Sequence, residues 1–256
     1  MLSRLDRAWR FFATALSFVL FGLGCIFISL VVAPILLLLP GSTTQRQLRG
    51  KACIHYVLRW YIGMMKFLGV LSYEVHGLQR LKGAKMILAN HPSLIDVVFL
   101  ISMLPNANCV VKSALLRNPF TYGPVKAAGY IINDDMVDDV IVAARQAFDR
   151  GDALIVFPEG TRSKPGQKLI LKRGAAHVAI RTAADVTPVI IQCSPLTLTK
   201  GEPWYHIPPQ RPHFVIRIEQ PIEIATYIND VKPSMAARNL TATLTRFFNK
   251  EIGLHE

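Results

Sequence analysis

Apolar residues follow three different patterns along this chain, and each predicts a different kind of element. Between Arg10 and Arg46 no side chain is charged, and residues 11–40 are almost wholly apolar. One membrane-spanning helix needs ~20 such residues. The run is generous for one span and short for two with a turn. It therefore predicts a single tilted span or a shallow re-entrant hairpin, with Pro34 and Pro40 as places for the helix to bend or stop. Arg4, Arg7 and Arg10 ahead of the run would suit a secretory signal, but such signals carry an apolar core of ~7–15 residues. A retained anchor is expected instead. Arg46, Arg49 and Lys51 make the far flank basic as well, so charge leaves the orientation open.

The second pattern, over residues 52–71, is apolar but charged. His55, Arg59 and Lys66 are spaced to share one polar stripe of a helix, with Tyr56, Trp60, Ile62 and Phe67 on other faces. Such a helix suits either the plane of lipid head groups or ordinary docking on a domain with the stripe in water.

After residue 72 short strand-like runs alternate with helix-like ones. Strands are expected at 73–76, 86–89, 109–111, 153–157 and 186–191, and the alternation at 213–218 predicts an edge strand. Helices are expected at 93–103, 137–149, 172–184 and 234–250. Apolar strands separated by helices indicate an α/β domain, a mainly parallel sheet flanked by helices on both faces. The prolines Pro203, Pro208, Pro209 and Pro212 mark a loop. The expected organisation is a membrane-attachment segment, 1–71, followed by one catalytic domain, 72–256.

Composition narrows the classes. The 256 residues are 51% hydrophobic, enough to exclude a disordered chain, and 29 Lys+Arg against 17 Asp+Glu leave a net charge of +12. A basic balance beside an apolar segment suits anionic lipid, and no nucleic-acid motif or dense Lys/Arg run accompanies it, so a nucleic-acid partner is not expected. Cys25, Cys53, Cys109 and Cys193 lie far apart with no CxxC pair, which suggests neither a zinc site nor a disulfide framework and fits a reducing cytosolic face.

Two of the expected strands end in polar clusters, where α/β folds gather ligands. The first is Asn90-His91-Pro92-Ser93-Leu94-Ile95-Asp96 and the second Phe157-Pro158-Glu159-Gly160-Thr161-Arg162-Ser163. Neither is a nucleotide loop. A His-x4-Asp spacing is common by chance, but here the histidine directly follows a strand, and a local turn can return the Asp96 carboxylate to the His91 imidazole. A neutral imidazole, with a reference pKa of ~6.5, accepts a proton from a hydroxyl near neutral pH, while the carboxylate fixes its tautomer. With no serine in a GxSxG setting, the hydroxyl belongs to a substrate and direct acyl transfer follows. The competing reading makes His91 a capping or core histidine and Asp96 a solvated residue.

These clusters, in this order, resemble those of the glycerolipid acyltransferase family, typified by bacterial 1-acyl-glycerol-3-phosphate acyltransferases. The second motif runs from Lys112 and Ser113 through Asn118 and Pro119 to Gly123 and Gly129; Lys172-Arg173-Gly174 follows the third; Val186-Thr187-Pro188-Val189 is the fourth. The resemblance covers residues 73–194. It implies the glycerolipid acyltransferase fold, with His91 as general base and Asp96 as its orienting carboxylate. It implies further that Glu159, Gly160, Thr161 and Arg162 help bind the acceptor, Arg162 on its phosphate, with Lys112 adding positive potential. The donor would be acyl-CoA or acyl carrier protein, the acceptor a lysolipid such as 1-acyl-sn-glycerol-3-phosphate, and no cofactor or metal is required. The setting implied is the inner membrane, with the site on its cytoplasmic face. One departure stands out: where the family's second motif has arginine, this chain has Asp135, amid Asp134, Asp138 and Asp139. A carboxylate there either repels an acceptor phosphate, which favours a neutral, zwitterionic or otherwise specialised lysolipid, or belongs to a solvated helix start. An inactive lipid-binding relative is the alternative of another class.

Overall fold

The computed structural model describes residues 2–133, 137–229 and 231–253. The chain begins with α1 (Leu2–Phe27), passes through one π-helical turn at Ile28–Val32 and continues as α2 (Ala33–Leu38). The apolar run is thus one helical rod rather than a re-entrant hairpin; the π turn absorbs the missing N–H of Pro34, and the chain reverses only around Pro40. Among the described residues, Arg4–Leu38 is the one helical stretch long and apolar enough to cross a membrane, by length and composition.

A capping box between Ser42 and Gln45 starts α3 (Thr43–Phe67). This helix returns alongside α1: Tyr61 donates to Ser17 O at 3.2 Å, the Phe21 and Tyr61 rings lie 5.5 Å apart, and the Trp9 indole reaches Leu68 O at 2.8 Å. Here the expected polar stripe is corrected. His55 is buried with Nδ1 on Ile101 O at 2.9 Å, while Tyr56, Trp60 and Phe67 are exposed on the same side as Arg59 and Lys66. Periodicity sorts residues onto faces but does not say that a histidine has a carbonyl waiting on another element.

The remaining elements are β1 (Ser72–His76), β2 (Met86–Ala89), α4 (Asp96–Met103), β3 (Ala107–Lys112), α5 (Ala114–Arg117), α6 (Pro119–Ala128), β4 (Ile131–Asn133), α7 (Val137–Asp149), β5 (Ala153–Val156), α8 (Arg173–Thr182), β6 (Val186–Ser194), β7 (His213–Ile218), α9 (Ala225–Ile228) and α10 (Pro233–Glu251). They form one sheet in the order β1-β7-β6-β2-β5-β3-β4. The five strands from β6 to β4 are mutually parallel, and β7 runs antiparallel to β6 and parallel to β1. The strand at 213–218 is therefore interior, not an edge: its alternation reports that one face is covered, whereas its neighbours are decided by pairing.

All four residues of β2 are fully buried, with Ile87 and Ala89 facing α3 and α4, and Met86 and Leu88 facing α7, α8 and α10. Both faces of the sheet are covered, which is why its central strands read as unbroken apolar runs. From β2 the chain crosses to β3 on one side of β5; from β5 it crosses back past β2 to β6. The carboxyl ends of β2 and β5 lie where the winding reverses, the place where open α/β sheets bind ligands.

Candidate active site

Asn90 ends β2 by continuing its pairing with a side chain: Nδ2 donates to Ile191 O at 2.8 Å, and Oδ1 accepts from Ile191 N at 2.7 Å. These bonds hold the next residue, His91, at the lip of the sheet. The turn that follows reaches further than expected, so the helix starts at Asp96 rather than at residue 93. That turn folds the carboxylate back, and His91 Nδ1 lies 2.9 Å from Asp96 Oδ2, which also accepts from Ser93 N at 2.7 Å. The competing reading of a solvated Asp96 is contradicted, since it is fully buried. Burial pushes its pKa up to about 6, against the pull of the His91 and Ser93 hydrogen bonds. An ionised Asp96 accepts a hydrogen bond from Nδ1–H, so the tautomer assigned by this contact leaves the Nε2 lone pair free.

The imidazole is held on its flat face too. Phe157 stacks on it with ring centroids 4.1 Å apart and planes 24° from parallel. Phe157 directly follows the neighbouring β5, and the loop it opens is stitched to the backbone of the histidine. Glu159 Oε1 accepts from His91 N at 2.9 Å and from Ser163 Oγ at 2.8 Å, and Ser163 N donates to His91 O at 2.7 Å. Glu159 is buried, its carboxyl pKa raised by desolvation; its bond from His91 N joins the two loops, and its bond from Ser163 fixes it within its own. Its place in this structure is that of a brace.

Arg162 hangs from a third segment. Its Nη1 donates to Leu198 O at 2.9 Å and Thr199 O at 3.0 Å, and no carboxylate pairs with it among the described residues. The Leu198 carbonyl also accepts from Leu94 N at 3.1 Å, inside the His-x4-Asp turn. One carbonyl thus joins the turn that carries His91 to the guanidinium, which keeps Nε and Nη2 for a ligand. A planar fork of this kind suits two oxygens of a phosphate.

Gly160 has φ +70°, and a Cβ there would lie 3.0 Å from Lys172 Nζ. We expect Gly160→Ala to cost about 1–2 kcal/mol from the left-handed backbone alone and to push the Lys172 ammonium aside; thermal unfolding and acceptor KM measure the two effects. Thr161 is exposed on the same loop. Lys112 is exposed at the end of β3, two strand positions from β2 and so roughly 10 Å across the same edge of the sheet. Asp134 and Asp135 lie outside the described residues, and Asp138 pairs with Arg181. Sequence reasoning missed the roles of Asn90, Phe157 and the Leu198 and Thr199 carbonyls. The first two adjoin the motifs and were findable there, but the carbonyls carry no side-chain signal.

Comparisons with known proteins agree on this region. A family profile described as Acyltransferase matches residues 72–192. The chain is 31% identical over 115 residues to a 1-acyl-sn-glycerol-3-phosphate acyltransferase of Helicobacter pylori, covering 43% of this chain and 48% of that one. It is 26% identical over 204 residues to the human 1-acyl-sn-glycerol-3-phosphate acyltransferase beta, covering 74% and 68%. With the enzyme of the same name from Limnanthes alba the identity is 27% over 146 residues, 54% and 52% of the two chains. The match thus spans about half the length of the Helicobacter and Limnanthes relatives. The crystal structure of the 1-acyl-sn-glycerophosphate (LPA) acyltransferase PlsC from Thermotoga maritima shares the fold, with TM-score 0.67 at 18% identity over 99% of this chain and 97% of that one. By matched sequence over residues 72–192, through the strands that bear the His91 and Arg162 loops, this chain is similar to acyltransferases, and over its whole length it shares the fold of the Thermotoga protein.

Proposed function

We propose that this protein is a membrane-attached O-acyltransferase that moves an acyl chain from a thioester, acyl-CoA or acyl carrier protein, to the free hydroxyl of a lysolipid, with 1-acyl-sn-glycerol-3-phosphate as the acceptor favoured by Arg162. The observation that carries this reading is the pairing of the Asp96-oriented imidazole with an unpaired guanidinium through the shared Leu198 carbonyl. His91 Nε2 takes the acceptor's hydroxyl proton as its oxygen bonds to the thioester carbonyl carbon. The tetrahedral oxyanion collapses by breaking the carbon–sulfur bond, and the imidazolium returns its proton to the leaving thiolate. Products are a diacyl lipid and a free thiol; no metal has a part.

Attachment through α1 and α2 suits lipid substrates. Leu5, Phe12, Val19, Leu23, Leu30 and Leu38 are exposed along the rod, a face that is costly to leave in water. We place the rod in the inner membrane and the site on its cytoplasmic side.

The test is an assay of purified protein in phospholipid vesicles, pairing both donors with lysophosphatidate, zwitterionic lysolipids and a monoacylglycerol. Transfer to lysophosphatidate with the highest kcat/KM is expected, and silence across the panel would leave a lipid-binding protein. Arg162→Ala raises KM for the phosphate-bearing acceptor by about ten- to a hundredfold, the worth of a hydrogen bond to a charged group, and leaves the monoacylglycerol unchanged. Asp135 is the specific ground for a second reading, a neutral or zwitterionic acceptor. Under that reading Asp135→Arg shifts the profile toward phosphate-bearing acceptors, and an unchanged profile dismisses it.

A further inference from the structure

We infer that Arg10, on the N-terminal helix, is a positioning residue for the acceptor subsite, acting on Arg162 through residues 195–212; this rests on the reading of Arg162 as the phosphate-binding group. The segment joins β6 to β7 without regular structure, and a connection of that length inside a compact domain is commonly functional. It is fixed at both ends by arginines that face it from different elements.

At its start, Leu198 and Thr199 offer their carbonyls to Arg162 Nη1. Leu198 holds φ +53°, a left-handed conformation that a leucine adopts only when its surroundings impose it, and it is buried. The strain sits on the residue whose carbonyl serves both Arg162 and the His91 turn. At its end, Arg10 is 1% exposed, although it stands where the charged first turns of α1 give way to the apolar run. Its Nη1 donates to Pro208 O at 2.8 Å and Gln210 O at 3.2 Å, its Nη2 to Pro209 O at 2.8 Å, and its Nε to Asp6 at 2.9 Å. Arg7 Nε adds a bond to Ile207 O at 3.0 Å, and Trp204 lies against Phe11 and Phe18.

The chemistry of the match is specific. Prolines have carbonyls but no N–H, so this stretch presents acceptors with few donors of its own, and a guanidinium is a fan of donors with no acceptor. A lysine ammonium cannot spread across three consecutive carbonyls in the same way. Between the two ends the bonds are continuous: Glu202 accepts from Thr199 N and Oγ1 at 3.3 and 3.1 Å and also pairs with His206, whose N–H returns to Pro203 O at 3.0 Å next to Ile207. The membrane-side helix thereby holds the turn that keeps Arg162 aimed beside His91.

The test uses the full chain in vesicles with Arg10→Met, Arg10→Lys and Glu202→Ala. Arg10→Met is expected to raise the lysophosphatidate KM about two- to tenfold, the worth of a positioning hydrogen bond. The donor KM, kcat, the pH profile and the monoacylglycerol KM stay within about twofold, a scatter of some tenths of a kcal/mol. Arg10→Lys recovers part of the loss. The double variant Arg10→Met/Arg162→Ala has the same acceptor KM as Arg162→Ala alone, because the first change acts only through the second. Additive effects, equal rises for acceptors with and without phosphate, or an unchanged KM in folded Arg10→Met overturn the inference. If Arg10→Met does not fold, Glu202→Ala, a surface change in the same chain of bonds, is judged by the same criteria. A wild type inert toward every acceptor sinks the proposed function instead. Calorimetric binding of lysophosphatidate to the same variants then decides this inference, weaker binding supporting it and equal binding ending it.

Discussion

Acyl transfer by the Asp96→Asn protein falls by about 10³–10⁴-fold, the scale set when a histidine base loses its orienting carboxylate, while the same protein becomes harder to unfold at pH 8. The two effects have one cause. Asp96 is fully buried, and desolvation raises its pKa to about 6, above the ~3.9 of an unfolded chain. The folded state therefore binds its proton more tightly than the unfolded state. Between roughly pH 4 and 6 the unfolded chain carries fewer protons, so stability falls as pH rises, and above 6 the full cost of a buried charge is present. Asparagine keeps the shape, can still accept from Ser93 N, and removes that charge, a gain of about 2–3 kcal/mol at pH 8 that disappears below about pH 4. Activity has the opposite slope: the pair works when Asp96 is ionised, so wild-type kcat/KM declines as pH drops through about 6, an apparent value for the coupled pair. His91→Ala, at a partly exposed ring, loses ~10²–10⁴-fold in rate with no gain in stability. Chemical unfolding at pH 4 and pH 8 alongside initial rates separates the cases; an Asp96→Asn protein less stable than wild type at pH 8 would contradict this account.

The second large effect is structural. Lys51 on α3 reaches Asp152, the residue before β5, with Nζ 2.5 Å from Oδ2, and both side chains are essentially inaccessible. Asn108 Nδ2 at 3.3 Å and Arg150 Nη2 at 3.4 Å add to the same oxygen, whereas Oδ1 has no hydrogen-bond partner among the described residues. Lys51→Met leaves a buried carboxylate with only these weak supports and is expected to cost about 3–5 kcal/mol. Replacing both members, Lys51→Met with Asp152→Leu, recovers most of the loss, because two apolar side chains there have no charge to desolvate. Urea unfolding of the two proteins checks the contrast. Equal stabilities would mean that close helix contacts alone, such as the Gly50 position where a Cβ would meet Ala127 O at 2.2 Å, dock α3 on the domain.

Legibility followed the range of the interactions concerned. The central strands β2, β5 and β6 announced themselves because both faces are covered, so that every residue of β2 and β5 and most of those of β6 are apolar, and the helices at 137–149 and 234–250 emerged within a residue or so of their expected bounds. The three-residue β4 was too short to show any period. Arg10 read as one of three basic residues flanking an apolar run, yet it is buried, because its partners are carbonyls some two hundred positions away. Lys51 was read as part of a basic flank for the same reason.

What the sequence by itself determined was the chemistry on offer and its order: apolar rod, alternating α/β elements, a His-x4-Asp turn after one buried strand and an arginine loop after another. These are local facts, carried by period, turn residues and spacing within a few residues. Only the tertiary structure decided how those parts are aimed. The Asn90 bonds to β6, the Phe157 shelf beneath the imidazole and the Leu198 carbonyl shared by the His91 turn and Arg162 all join positions far apart in the chain. Backbone carbonyls are identical at every residue, so which of them meets a guanidinium is settled by the fold that brings them together.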